Sequence, residues 1–245
     1  MKILITGVNG LLGSKLFELL STSEHDIIST GRTQEGLAAT ALDITNEKQI
    51  HQVLEFHKPD VLINTAAIAD VDLCETEKEL CWNTNVKAIG HLIDACKKFN
   101  VHLIHISTDY IFDGTSGPYK ESDSPNPISY YGKSKLEGEK IIIESNLNHT
   151  IIRTILVYGV HAKSNIVSYV KKSLENGNPV NLVDDQHRMP TLVDDLANAC
   201  ISAASKKALG VFHISGEQML NYYEIGSSIA DYFSLDTSLI NKIKT

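Results

Sequence analysis

No apolar run in this 245-residue chain approaches the ~18 residues of a membrane-spanning helix. The opening stretch Met1-Lys2-Ile3-Leu4-Ile5-Thr6-Gly7 is too short for the apolar core of a signal peptide and leads straight into glycines, so it reads as a buried first strand. Basic charge is scarce: 22 Lys and Arg against 30 Asp and Glu leave a formal net charge of −8. A nucleic-acid or anionic-membrane surface needs a concentrated basic patch, so neither partner is expected, while a local cationic pocket stays open. The cysteines Cys74, Cys81, Cys96 and Cys200 form no CxxC pair and share no metal-type spacing with histidine, which fits a reducing cytoplasm. His102 and His105 stand three apart on an expected strand, an odd spacing that sends them to opposite faces, so no metal site is expected. Internal repeats and low-complexity linkers are missing as well.

What is present suits one α/β domain with a substantial core and a small appended lobe: 42% of residues are hydrophobic and 21% charged. Short apolar, β-rich runs recur at Lys2–Thr6, Asp26–Thr30, Val61–Asn64, Val101–Ser107, Thr150–Thr154 and Gly210–Ile214. Between them lie helix candidates beginning near Leu11, Thr45, Glu75, Tyr131, Asn165 and Val193. Near-continuous apolar strands alternating with helices predict a doubly wound parallel sheet of the Rossmann type, covered on both faces. The expected division is a core over 1–155, completed by the strand near 210–214, and a lobe over 156–245 interleaved with it. Loop signals at Asp113–Pro118, Ser122–Pro127 and Asn176–Pro179 are expected at the mouth of a site, because open α/β sheets bind ligands beyond the carboxyl ends of their strands.

Gly7-Val8-Asn9-Gly10-Leu11-Leu12-Gly13 follows the first strand and opens the first helix. In that context Gly7 makes the turn, Gly10 admits a pyrophosphate, Gly13 lets the helix approach the sheet, and the helix N-terminus attracts the phosphate charge. No Gly-Lys-Ser/Thr follows, which disfavours a nucleotide-hydrolysing P-loop. A dinucleotide without a 2′-phosphate calls for a carboxylate at the end of the second strand, and here that strand ends Thr30-Gly31-Arg32. NADP(H) is therefore preferred and NAD(H) admissible, with Arg32 either pairing a phosphate or standing as an exposed loop residue. Asp43 and Ile44 follow a third run, Gly36–Leu42; Asp43 is a candidate acceptor for an adenine amino group, and it or Thr45 a candidate cap of the next helix.

Tyr131 and Lys135 lie four apart on an expected helix and so share one face. A free phenol, with a pKa of about 10, holds its proton too tightly for work near neutrality, and a neighbouring ammonium lowers that value. Upstream, Ser107-Thr108-Asp109-Tyr110-Ile111-Phe112-Asp113-Gly114 places hydroxyls at a strand's carboxyl edge.

With the glycine turn, Asp43-Ile44-Thr45, Asn64-Thr-Ala-Ala67, Asn85, Pro118-Tyr-Lys-Glu121, Gly138-Glu139, Arg153-Thr154 and Asp185-Gln186, these residues resemble the extended short-chain dehydrogenase/reductases, and within them the dTDP-4-dehydrorhamnose reductase family. The resemblance implies an enzyme in which hydride reaches C4 of a keto-sugar nucleotide, Tyr131 supplies the proton, Thr108 hydrogen-bonds the same oxygen, and Lys135 lowers the tyrosine pKa and holds the nicotinamide ribose. It further implies that Ala66 and Ala67 line the cofactor groove, that Asn85 braces the catalytic strand, and that Asp109, Tyr110 and Arg188 meet the sugar nucleotide. A homodimer is compatible with it. Related dehydratases carry a glutamate where this chain has Tyr110, so plain reduction is implied rather than elimination. The sequence departs from the pattern at His187-Arg188-Met189, where a glycine is usual, and it ends at Thr245 where members usually continue, which suggests a shortened lobe. The same motifs resemble the regulatory β subunits of methionine adenosyltransferase, so a non-catalytic NADP-binding module is an alternative, as is another sugar-nucleotide reductase or epimerase.

Overall fold

The computed structural model of the protein describes residues 1–161 and 165–245. Seven strands form the main sheet: β1 (Lys2–Thr6), β2 (Asp26–Gly31), β3 (Thr40–Ala41), β4 (Val61–Asn64), β5 (His102–Thr108), β6 (His149–Thr154) and β7 (Gly210–Ile214). Their order is β7-β6-β5-β4-β1-β2-β3, and the pairings from β6 through β3 are parallel. Strand side chains alternate between faces. On one face Leu4, Leu62 and Leu103 pack with residues of α2 (Glu47–His57), α5 (Ala88–Phe99) and α6 (Tyr130–Glu144). On the other, Ile3, Ile5, Ile63 and Ile104 are equally inaccessible. Burial on both sides is why these strands read as unbroken apolar runs, and it makes the sheet a doubly wound Rossmann sheet.

Three local expectations are corrected. The second helix begins at Glu47 rather than Thr45, because the Asp43 carboxylate closes on Thr45 N and Oγ1 at 2.9 and 2.7 Å while Asn46 caps the helix through Gln49 N at 3.1 Å. The helix expected from Glu75 is instead α3 (Val71–Thr76), α4 (Lys78–Trp82), a π-helical turn over Asn83–Lys87, and then α5. Glu77, with φ −109° and ψ 57°, breaks the first two, and the wide turn carries buried Asn85. The run Gly36–Leu42 contributes only the two-residue β3, because the chain before it is held off the sheet: Asn9 donates to Glu35 O at 2.9 Å and accepts from Leu37 N at 2.8 Å.

Contacts divide the chain into two units, Met1–Thr154 with Ala197–His213, and Ile155–Leu196 with Ile214–Thr245. The first contains the main sheet. The second is built on α7 (Ile166–Glu175) and, beyond α8 (Val193–Lys206), α9 (Tyr222–Phe233); the capping boxes at Asn165/Ser168 and Asn221/Glu224 define the starts of α7 and α9. Its core joins Val170, Leu174, Leu182, Ile225, Ile229 and Ile240. Three two-stranded pairings complete it: Val157–Tyr158 with Thr191–Leu192, His187–Arg188 with Leu220–Asn221, and Val180–Val183 with Ile240–Ile243. Among the described residues, no helix is long and apolar enough to cross a membrane, and no three His, Cys, Asp or Glu side chains gather as a metal site. All four cysteines are buried and free.

Candidate active site

The glycine turn leaves β1 at Gly7, whose φ of +67° is a left-handed conformation that a side chain would strain. Gly10 N donates to Gly7 O at 2.9 Å, and α1 (Leu11–Ser21) begins there with no capping side chain and no acidic residue in its first turn. Its first amides, from Leu11, Leu12 and Gly13, thus have no capping side chain and no neighbouring carboxylate in the first turn, a place that could hold an anion. Asn9 does not face such a ligand alone: its amide is tied to Glu35 and Leu37, so it fastens the turn to the loop that carries Arg32. Arg32 is exposed just beyond β2, Ile44 is buried, Asp43 is closed on Thr45, and after β4 Ala66 is half-buried and Ala67 exposed.

At the carboxyl end of β5, Thr108 accepts from Tyr110 N at 3.2 Å and donates to Asp109 Oδ1 at 3.1 Å. Its hydroxyl also hydrogen-bonds Tyr131. Tyr131 enters from the first turn of α6, whose start is fixed twice: Ser129 accepts from Gly132 N at 3.1 Å, and Glu75 Oε1 accepts from Tyr130 N at 2.6 Å. Gly132 is needed for close approach, because a Cβ there would collide with the Tyr110 carbonyl oxygen. The Tyr110 and Tyr131 rings meet edge to face at 5.6 Å. Thr108, Asp109, Tyr110 and Tyr131 therefore form one cluster.

Lys135, one turn further along α6, is buried. Its Nζ donates to Ile106 O at 2.7 Å and lies 3.1 Å from His105 Nε2. Burial lowers its pKa to about 8, partly opposed by Glu139. Tyr131 moves the other way: burial pushes its phenol well above the ordinary value, and the bond from Thr108 offsets only part of that. The expectation that Lys135 sets a lowered tyrosine pKa is not what this arrangement displays, since the ammonium is turned to the sheet. Near neutrality the pair presents a protonated phenol and a mostly charged amine.

Asn85 grips the chain after β4 rather than β5. It donates to Ile68 O at 2.9 Å, accepts from Ile68 N at 3.0 Å, and donates to Ser134 Oγ at 3.1 Å. The loop following β5 is anchored by Asp113, which accepts from Tyr119 OH, Asn126 Nδ2 and Thr115, so that its carboxyl is held far below the usual carboxylate range. Behind that loop, Arg153 pairs with Glu139 at 2.7 Å, both buried, and lies over the Phe112 ring, which stacks on Tyr119 at 4.3 Å. Arg188 belongs to the other unit, where it donates to His187 O at 3.0 Å and lies 5.7 Å over the Tyr222 ring; the segment that lacks the usual glycine is a short strand.

Sequence reasoning passed over His105 and Ser107 as site residues. Ser107 Oγ is buried near the carboxyl end of β5 and has no hydrogen-bond partner among the described residues. The signal for both was a polar side chain interrupting an apolar strand. An open helix N-terminus behind a glycine turn at the carboxyl end of β1 suits the pyrophosphate of a dinucleotide.

A Rossmann sheet with a glycine turn at β1 and a Thr, Tyr and Lys gathered at β5 and α6 defines an oxidoreductase of the short-chain dehydrogenase/reductase class. The family model described as RmlD substrate binding domain matches residues 1–245, and the chain belongs to that family. It is 34% identical over 238 residues to dTDP-4-dehydrorhamnose reductase of Aggregatibacter actinomycetemcomitans, covering 94% of this chain and 78% of that protein. It is 32% identical over 251 residues to methionine adenosyltransferase 2 subunit beta of Bos taurus, covering 99% and 75%. Its structure superposes on that of dTDP-4-dehydrorhamnose reductase from Bacillus anthracis in complex with NADP with a TM-score of 0.93 at 30% identity, covering all of this chain and 84% of the other.

Proposed function

We propose that the protein reduces the C4 keto group of a dTDP-4-keto-6-deoxy sugar, yielding dTDP-L-rhamnose, with NADPH as reductant. The observation that carries this reading is the cluster at the end of β5: a buried, protonated Tyr131 phenol bonded to Thr108, with Tyr110 in place of a carboxylate base. The dinucleotide supplies a hydride to the carbonyl carbon. As the C–H bond forms, the carbonyl π electrons move to oxygen, and that oxygen takes the Tyr131 proton while the Thr108 hydroxyl, turned from Asp109, donates a hydrogen bond to it. Lys135 holds the nicotinamide ribose through the one N–H left after Ile106 O and His105. Gly7, Gly10, Gly13 and the α1 amides take the pyrophosphate, Ala66 and Ala67 flank the groove, Asp43 and Ile44 border the adenine, and Arg32 pairs with the 2′-phosphate. Ser107 gains its missing partner from the bound ligands. Asp109 and Tyr110 contact the sugar at the carboxyl end of β5.

The deciding experiment mixes purified protein with NADPH and dTDP-4-dehydro-6-deoxy-L-lyxo-hexose and follows loss of NADPH absorbance. Turnover is expected; tight NADPH binding without turnover overturns the reductase reading. That outcome would favour the second reading, a non-catalytic NADP-binding regulatory subunit, which the similarity to methionine adenosyltransferase 2 subunit beta supports. Arg32→Ala is expected to weaken NADPH by about tenfold, on the order of one charge-assisted contact, and to leave NADH nearly unchanged.

A further inference from the structure

One face of the main sheet carries an unusual row. Thr6, Asn64 and His105 are direct register partners across β1, β4 and β5. Two residues back, the same three strands place Leu4, Leu62 and Leu103 side by side in the apolar core, so the polar row interrupts a face that is otherwise hydrocarbon. Its members are 0%, 1% and 1% exposed, and Lys135 above them is 2% exposed. Each is hydrogen-bonded to the next: Thr6 Oγ1 to Asn64 Oδ1 at 2.6 Å, Asn64 Nδ2 to His105 Nδ1 at 3.1 Å, and His105 Nε2 to Lys135 Nζ at 3.1 Å. The row starts one residue before Gly7 and ends at the amine that the proposed function gives to the ribose.

The donor inventory makes the row respond as a unit. A neutral imidazole has one donor and one acceptor nitrogen, and an ammonium has donors only. When Lys135 is charged, His105 Nε2 must accept from it, the ring proton sits on Nδ1, and Asn64 must present its oxygen to the ring and its NH₂ to Thr6. When Lys135 is neutral, Nε2 can donate to it and Asn64 presents its NH₂ to Nδ1. As placed, Asn64 presents its NH₂ to the ring and its oxygen to Thr6, the arrangement of the neutral amine, and the two amide orientations have nearly the same outline. The charged amine has three donors; Ile106 O and His105 take two, leaving one for a ligand.

We propose that His105, oriented by Asn64 and Thr6, is a positioning residue that holds the Lys135 amine against the sheet and sets its charge state, so that dinucleotide affinity depends on the protonation of this buried row. This rests on the reading that Lys135 meets the ribose. The groups that face the amine are His105 from β5, Cys81 from α4 and Glu139 from α6 itself, with Glu139 neutralised by Arg153 from β6. Burial holds His105 neutral, well below its ordinary pKa, with the Lys135 charge adding to that effect, which leaves Nε2 free to accept.

The test measures NADPH affinity by fluorescence titration from pH 6 to 10, without sugar, for the natural protein and for Lys135→Met, His105→Leu and His105→Gln. The natural protein is expected to lose affinity as pH rises through about 8, and Lys135→Met to bind more weakly with no such inflection. His105→Leu removes the acceptor; it should weaken NADPH by about tenfold at pH 7 and move the inflection down by about one pH unit. His105→Gln restores an acceptor oxygen, and should keep affinity within about threefold while moving the inflection upward, because an amide oxygen cannot donate to a neutral amine. If His105→Leu matches the natural protein in affinity and inflection while Lys135→Met does not, the positioning role is overturned and the ribose reading stands. If Lys135→Met itself matches the natural protein, the ribose reading fails. Should His105→Leu not fold, an unshifted inflection in His105→Gln overturns the proposal on its own.

Discussion

The two units of the chain hold themselves together in different ways. In Met1–Thr154 with Ala197–His213, parallel strands are sealed on both faces, and polar side chains inside are paired one to the next, from Thr6 to Lys135 and from Arg153 to Glu139. In Ile155–Leu196 with Ile214–Thr245, two capped helices and three two-stranded pairings surround a smaller apolar cluster. The first kind of structure over-determines each side chain and can therefore hold a reacting group in one place. The second leaves its polar groups, such as Arg188, on neighbouring backbone and ring faces near the surface, where sequence can vary at small cost.

The comparison is broken most severely at Tyr131. Tyr131→Phe is expected to cut kcat by about 10²–10⁴ and leave NADPH affinity unchanged, since the ring stays packed while the proton is gone. Steady-state rates and cofactor titration check this, and a variant retaining a large fraction of its activity would remove Tyr131 from the acid role. Next, Arg153→Met leaves Glu139 charged and buried, and should destabilise the protein by about 3–5 kcal/mol in denaturant titration.

A smaller effect isolates Lys135. Its folded pKa of about 8 lies below the unfolded value near 10.5, so between those values the unfolded chain binds a proton that the native state does not. Stability from this group consequently rises with pH from about 8 toward 10, by up to about 2–3 kcal/mol. Cys96 and Cys200, pushed up to about 12 by burial, act in the opposite sense above pH 9 in any variant. The readable quantity is therefore the difference between the natural protein and Lys135→Met, which should grow across that window; a flat difference would mean that the amine is not desolvated.

The second unit has its own probe in Gly226, where a Cβ would strike Leu182 Cδ1. Gly226→Ala should cost about 1–3 kcal/mol through overpacking while NADPH affinity stays unchanged. A loss of NADPH affinity would show that the two units are not energetically separate.

Legibility in the sequence followed the same division. The glycine turn, the strands of the main sheet and the Tyr131/Lys135 spacing are local patterns, and each lies where periodicity and turn chemistry put it. The break at Glu77, the π-helical turn around Asn85 and the cap from Asn46 depend on which of several adequate residues wins a local contest, and propensity does not rank them. Lys135 was expected to serve its neighbour on the helix; instead it is held by His105, 30 residues away, a pairing created only when α6 docks on β5. Ser107 is legible in the sequence as a hydroxyl at a strand's carboxyl edge, and only burial reveals that it lacks a partner.

The bond from Tyr130 N to Glu75 has a kinetic consequence. The acceptor lies 55 residues upstream, so the first turn of α6 is completed by a long-range contact that closes a loop containing β5. Helix content is local and can return early in refolding, whereas the placement of Tyr131 is a property of high contact order. Recovery of turnover after dilution from denaturant should accordingly trail recovery of the helical circular-dichroism signal, and Glu75→Ala should widen that lag.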